Sequence, residues 1–298
     1  MKNFFKKIKF YFFFNTLSIS TNLLYKIHFF LSNLNFLFKK NFFTNYFFND
    51  INFLNEINFL NKNLYCLLKN VYTTPNKEEI ISEISSCYQN DKNLLKKSSS
   101  AKDSYSTTIL DPSKIKPNIL NKIIPIKVIN FLKNYFNSNV KIYSMHIYRT
   151  TPDVNYINPS FLWHFDNVPF YSVKCMILLT DTDSTNGAMK IMSGKISKKA
   201  ISNKFYDRYL HSTVIDENIS KFDYEYASGS AGDAFFFHNG RCLHKAINPL
   251  LKSRTVIVID FVPSLCKIDD NKILEYSHFY NAGIYVNPFT NKKQETLI

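Results

Sequence analysis

From residue 141 onward the chain changes its period. Ile142, Ser144, His146 and Tyr148 alternate with Tyr143, Met145 and Ile147, and a two-residue alternation suits a strand whose faces meet different surroundings. Further strand-like runs follow at 161–166, 172–179, 188–192, 234–238, 242–246 and 255–262. Asn239-Gly240 is a two-residue hairpin signal, expected to join the strand ending at His238 to the next one. Short strands punctuated by turns favour a sandwich or jelly roll.

The first hundred residues read differently. Residues 1–70 form aromatic-rich segments with Leu54, Ile57, Leu60, Leu64 and Leu67 at helix spacing, closed by Pro75. Residues 76–90 can form another short helix, 96–108 are a Lys/Ser-rich loop, and 119–137 a helix interrupted near Pro125. The expected organisation is a basic, mostly helical N-terminal region over 1–110, a β domain over 111–265 and an extension over 266–298. A polar, lysine-rich insertion at 195–228 is a candidate lid or substrate wall.

The formal net charge is +14, and residues 1–70 hold nine Lys against only Asp50 and Glu56, so half of the surplus lies in the first quarter. That asymmetry permits peripheral contact with a membrane surface or an anionic partner. No nucleic-acid recognition motif accompanies it, so nucleic acid is not an expected partner. Residues 10–25 are uncharged but diluted by Asn, Thr and Ser. They fall short of a bilayer span and lack a cleavage signal, so packed or interfacial helices are expected. Five cysteines with no C-x-x-C pair point to a reducing cytoplasm rather than a disulfide framework.

The chemistry lies in four residues. Trp163-His164-Phe165-Asp166 places a His and an Asp two residues apart, where a strand would present both to one face; His244 follows about eighty residues later, and Arg254 ten beyond that. Two His and one carboxylate with open positions opposite is the ligand set of non-haem Fe(II) sites that activate oxygen. With seven His and fifteen Asp in the chain, an H-x-D triplet arises easily by chance, so it carries little weight alone. Arg254 weighs more. Only four arginines stand against thirty-three lysines, so an Arg at this spacing implies a need for its rigid fork, suited to a dicarboxylate such as 2-oxoglutarate.

Those residues, with 173–181, Thr185-Asn186-Gly187-Ala188-Met189, Ser193-Gly194 and Gly232-Asp233-Ala234-Phe235-Phe236-Phe237, resemble in order the catalytic domain of the phytanoyl-CoA dioxygenase family over about 141–263. The resemblance implies a double-stranded β-helix core. It implies Fe(II) bound by His164, Asp166 and His244, 2-oxoglutarate held by Arg254, and O2 as oxidant. Succinate and CO2 would accompany hydroxylation of a small-molecule or lipid-like substrate. His146, Tyr148 and Lys174 fall on strands that line the cavity in relatives, so the resemblance makes them candidate co-substrate contacts, and strand alternation puts Met176 on the same side as Lys174, against the co-substrate chain. His238 is an alternative third ligand. Two departures stand out: Met192-Ser193-Gly194-Lys195 replaces the family's Pro-Gly-Ser-His, and Ala246 replaces a hydroxyl found in some relatives. A binding module without activity, or a cupin-like metalloenzyme without 2-oxoglutarate, are the competing readings.

Overall fold

The computed structural model describes residues 53–90, 95–97, 107–110, 115–120, 122–136, 139–152, 159–166, 168, 172–201, 221–264, 284–286 and 293–295. The uncharged stretch at 10–25, residues 202–220 of the insertion and Cys266 lie outside them. No helix among the described residues is long and apolar enough to cross a membrane.

In chain order the strands are β1 (Tyr65–Leu68), β2 (Leu95–Lys97), β3 (Thr107–Leu110), β4 (Asn139–Thr150), β5 (Val173–Leu178), β6 (Lys190–Ile191), β7 (Glu225–Tyr226), β8 (Ala234–Phe237), β9 (His244–Lys245), β10 (Arg254–Ser264), β11 (Ile284–Val286) and β12 (Lys293–Glu295). The helices are α1 (Leu54–Asn63), α2 (Thr74–Asn90), α3 (Pro117–Leu120), α4 (Ile126–Phe136) and α5 (Gly194–Ile201). A seven-stranded antiparallel sheet runs β1-β8-β5-β10-β4-β3-β2, and a smaller one runs β7-β6-β9, prolonged by a bridge between His164 and His244. Successive segments alternate between them: β4, then His164, β5, β6 with β7, β8, β9 and β10. That alternation is a double-stranded β-helix, with β11 and β12 pairing separately.

Strand parity sorts the side chains into two cores. Cys66 and Leu68 of β1, Val173, Cys175 and Ile177 of β5, Ala234 and Phe236 of β8, and Ile257, Ile259 and Phe261 of β10 pack with the helices. Their alternates Tyr65, Met176, Leu178, Phe235, Phe237, Val256 and Val258 face the space between the sheets. Helix α4 begins where the Pro125 carbonyl accepts from the amides of Val128 and Ile129, as the break near that residue leads one to expect. It buries Val128, Ile129, Phe131, Leu132 and Phe136 against the large sheet. A register shift between Asp260 and Phe261 leaves Tyr143 unpaired as a bulge in β4.

Several expectations need correction. The helical spacing through Leu64 and Leu67 ends at Asn63: Leu64 takes φ +66°, its amide caps Leu60, and the chain turns into β1. Helix propensity yields there to pairing with β8. The ends of the expected loop at 96–108 join β2 and β3, so the sheet takes strands from before residue 111. In place of a strand at 161–166 there is a 3-10 turn at Pro159–Phe161 followed by the single bridge at His164. Residues 188–192 and 242–246 contribute only two strand residues each. Asn239-Gly240 forms no hairpin: β8 and β9 belong to different sheets, and neither residue has positive φ. The amides of Arg241 and Cys242 both donate to the His238 carbonyl instead. The insertion begins with α5, in which the Ser197 hydroxyl anchors to the Met192 carbonyl and the Leu243 amide.

Two predictions follow from this packing. Phe131 is fully buried, with its ring 4.6 Å from Phe236 and 5.7 Å from Phe53. Phe131→Ala is expected to cost about 3–5 kcal/mol in urea unfolding, and Phe131→Leu far less. His238, buried and hydrogen-bonded to the Tyr135 hydroxyl at 2.6 Å, has its pKa pushed down to about 3, by burial first and then by Arg241. A histidine kept neutral in the fold takes up its proton more readily when unfolded, so its contribution is complete above about pH 6.5 and is lost as pH falls toward 3. The urea midpoint should drop between pH 7 and pH 5, and His238→Gln should flatten that dependence.

Candidate metal centre

The small sheet's edge brings the first two site residues together. His164 and His244 exchange backbone hydrogen bonds at 3.0 and 3.1 Å, which sets their rings 4.3 Å apart between centroids. The Asp166 amide then donates to the Asn239 carbonyl at 2.9 Å, turning the carboxylate back toward both rings. Asp166 Oδ1 lies 3.5 Å from His164 Nε2 and 3.6 Å from His244 Nε2. All three ligand atoms fall within 4.8 Å of one another.

Hydrogen bonds settle which nitrogen each ring offers. His164 Nδ1 lies 2.7 Å from the Leu162 carbonyl and His244 Nδ1 2.9 Å from the Cys242 carbonyl. A carbonyl only accepts, so each Nδ1 carries a proton, and in the neutral ring Nε2 presents the lone pair. Burial, and then the neighbouring His164, hold the His244 pKa down, which favours its neutral form. Two imidazole Nε2 atoms and a carboxylate oxygen therefore converge. Ligands about 2.1 Å from an ion and at right angles to each other stand about 3 Å apart, close to the 3.5 and 3.6 Å that separate Asp166 Oδ1 from the two Nε2 atoms. The donor set, two imidazoles and a carboxylate, suits a divalent first-row ion.

Around the triad runs a buried polar network. Lys174 pairs with Asp166 Oδ2, which also accepts from the Asn239 side-chain amide at 2.8 Å. The same amide donates to Asp260 Oδ1 at 2.9 Å, and the Ser144 hydroxyl donates to Asp260 Oδ2 at 2.6 Å. Burial drives the Asp166 carboxyl up, but Lys174 and then His244 outweigh it and hold its pKa well below the carboxylate range. Asp260 is shifted the other way, chiefly by its burial. His146 stacks on Tyr148 at 5.3 Å, and burial followed by Lys174 brings its pKa down to about 4. Met176 stands between Phe235 and Val258 on the inward face.

Arg254 opens β10 with the same parity as the inward-facing Val256 and Val258. It is buried, its Nη1 donates to the Gly187 carbonyl, and its Nε has no partner. No carboxylate pairs with it among the described residues. Desolvation brings its pKa down to about 10, still far above neutrality. Gly187 takes φ +80°, where a Cβ would meet the Ile247 carbonyl at 3.1 Å and the Pro249 nitrogen at 3.2 Å.

His164, Asp166 and His244 thus meet as their spacing suggests, while His238 is engaged with Tyr135 instead. Asn239, read from the sequence only as a turn residue, is the node joining two carboxylates. Asp260 did carry a signal: an acid within Val256-Ile257-Val258-Ile259-Asp260-Phe261-Val262 has to find partners if that strand is buried.

No family model and no curated protein sequence matches the chain. Solved structures do match in fold. A non-heme alpha ketoglutarate dependent carbocyclase, SnoK from nogalamycin biosynthesis, aligns at TM-score 0.53 and 12% identity over 71% of this chain and 84% of its own. EctD from S. alaskensis, solved with 2-oxoglutarate and 5-hydroxyectoine, aligns at TM-score 0.53 and 10% identity over 72% and 78%. The epimerase SnoN, in complex with Fe3+, alpha ketoglutarate and nogalamycin RO, aligns at TM-score 0.52 and 10% identity over 81% and 94%. These likenesses concern the double-stranded β-helix itself.

Gly187 gives the site a test independent of metal. A side chain there would strain the backbone that bears the carbonyl held by Arg254. Gly187→Ala should lower stability by about 1–3 kcal/mol in chemical unfolding, and Gly187→Val by more.

Proposed function

We propose that this chain is an Fe(II)/2-oxoglutarate-dependent dioxygenase that hydroxylates an unactivated C–H bond of a small-molecule or lipid-like substrate. One observation carries the reading: two imidazole Nε2 atoms and one carboxylate oxygen lie within 4.8 Å of one another, with both Nδ1 atoms turned away to backbone carbonyls. Three such ligand atoms meeting at one point offer a cation a common seat. SnoN, solved with Fe3+ and alpha ketoglutarate, and EctD, solved with 2-oxoglutarate, share the fold and support the choice of metal and co-substrate.

In this reading His164, Asp166 and His244 hold the iron on one face and leave the opposite positions open. Iron bound there would supply the redox chemistry by which O2 and 2-oxoglutarate yield succinate, CO2 and a hydroxylated product. Arg254 does the chain's own work toward the co-substrate. A buried guanidinium without a carboxylate partner gains from an incoming anion, and its fork matches the far carboxylate of a dicarboxylic acid. His146, Lys174 and Met176 line the inward face beside that path; a neutral His146 adds a polar wall without a further charge. Membership of the phytanoyl-CoA dioxygenase branch rests on the ordered motifs from Trp163 to Arg254. Asp166 in the ligand set favours hydroxylation over halogenation, because in that branch the halogenating enzymes carry a small residue in its place.

The test is anaerobic titration with Fe(II) and 2-oxoglutarate. A metal-to-ligand charge-transfer band should appear, and succinate should form when oxygen and substrate are admitted. His164→Ala should abolish both. Arg254→Ala should weaken 2-oxoglutarate by about 2 kcal/mol or more, with Arg254→Lys only a partial rescue. Turnover that survives Arg254→Ala would instead favour a cupin-like enzyme without 2-oxoglutarate; the absence of band and succinate, with metal bound, would favour a binding module.

A further inference from the structure

The buried network beside the triad contains two carboxylates and therefore four acceptor oxygens. Asp260 Oδ1 and Oδ2 are taken by Asn239 and Ser144, and Asp166 Oδ2 by both Lys174 and Asn239. Among the described residues, Asp166 Oδ1 is met only by the two imidazole Nε2 atoms. The donors are thus distributed so that one oxygen of four faces the metal position.

We propose that Lys174 is a positioning residue: with Asn239 it claims Asp166 Oδ2, so that the carboxylate offers a metal only Oδ1. This rests on reading His164, Asp166 and His244 as ligands. A free aspartate can chelate through both oxygens, and a chelating Asp166 would use a position that the co-substrate or oxygen needs. Lys174 and Asn239 approach Oδ2 from two elements. Lys174 sits on β5 in register with Phe237 of β8 and Asp260 of β10. Asn239 follows β8, in the segment that crosses to the small sheet. Rotation of the carboxylate would break both contacts at once. Lys174 adds a charge that Asn239 cannot, since two carboxylates joined through one neutral amide would otherwise share the interior without a cation. Its side chain is 18% exposed and that of Asp166 20%, so the pair is shielded enough for the contact to hold its geometry.

Anaerobic Co(II) titration of the full chain reads the consequence without turnover, because affinity and the d–d spectrum report ligation directly. Lys174→Met and Asn239→Ala should each weaken Co(II) about tenfold, as loss of a partner behind a metal ligand commonly does. Each should also alter the d–d bands as Asp166 changes its mode of binding. Lys174→Arg, whose fork can reach the same oxygen, should restore both. Circular dichroism checks that each variant folds, and Lys174→Gln decides if Lys174→Met does not. Unchanged affinity and bands overturn the proposal. Tighter binding overturns it too, since Lys174 would then be competing with the metal for the carboxylate. Failure of the underlying reading looks different: His164→Ala would bind Co(II) as well as the parent chain does.

Discussion

A carboxylate that stays charged inside a protein must be surrounded by donors or cations, and the centre of this barrel is arranged around that requirement at Asp166. Its two oxygens face opposite demands. One is saturated by Lys174 and Asn239, and the other is left to two imidazoles whose Nδ1 protons point away from it. The backbone makes this division possible. The His164–His244 bridge fixes the rings, and the bond from the Asp166 amide to Asn239 fixes the carboxylate. Strand pairing supplies more of the site's geometry here than side-chain packing does.

Parity of the large sheet explains how a polar network coexists with an apolar core. On β5 and β10 every second residue faces the helices and is apolar, so Val173, Cys175, Ile177, Ile257 and Ile259 supply the burial that stabilises the sheet. The intervening positions are then free to carry Lys174 and Asp260 toward the small sheet. A one-residue slip of either strand would bury the charges under α4 and turn the aliphatic residues toward the ligands. The bulge at Tyr143 keeps Ser144 opposite Asp260 while the start of β4 takes up its own register.

How legible all this was from the sequence depended on whether the signal was local. The alternation from Ile142 to Tyr148 and the apolar runs of β5, β8 and β10 are local, and they mark the strands of the large sheet. His164, Asp166, His244 and Arg254 were visible because their spacing is distinctive and arginine is scarce. What was hidden depends on partners far along the chain. The two-residue strands β6 and β9 have too little sequence to show a period, and β1 looked helical because Leu64 and Leu67 continue a spacing that only pairing with β8 interrupts. Asn239 illustrates the limit most clearly. Its neighbour Gly240 made it read as a hairpin, whereas its side-chain amide serves two acids, one 73 residues before it and the other 21 residues after.

The two cations inside the barrel differ in a way that separates their tasks. Lys174 has its carboxylate within the chain and needs no ligand to be satisfied. Among the described residues Arg254 has only a backbone carbonyl, and its Nε is without a partner. A guanidinium is less strongly hydrated than an ammonium, so it is the cheaper of the two to hold buried and incompletely paired. Exchanging the two would put a strongly hydrated ammonium where, among the described residues, no carboxylate waits. The chain's general preference for lysine therefore gives way at the position that must remain ready for an outside anion.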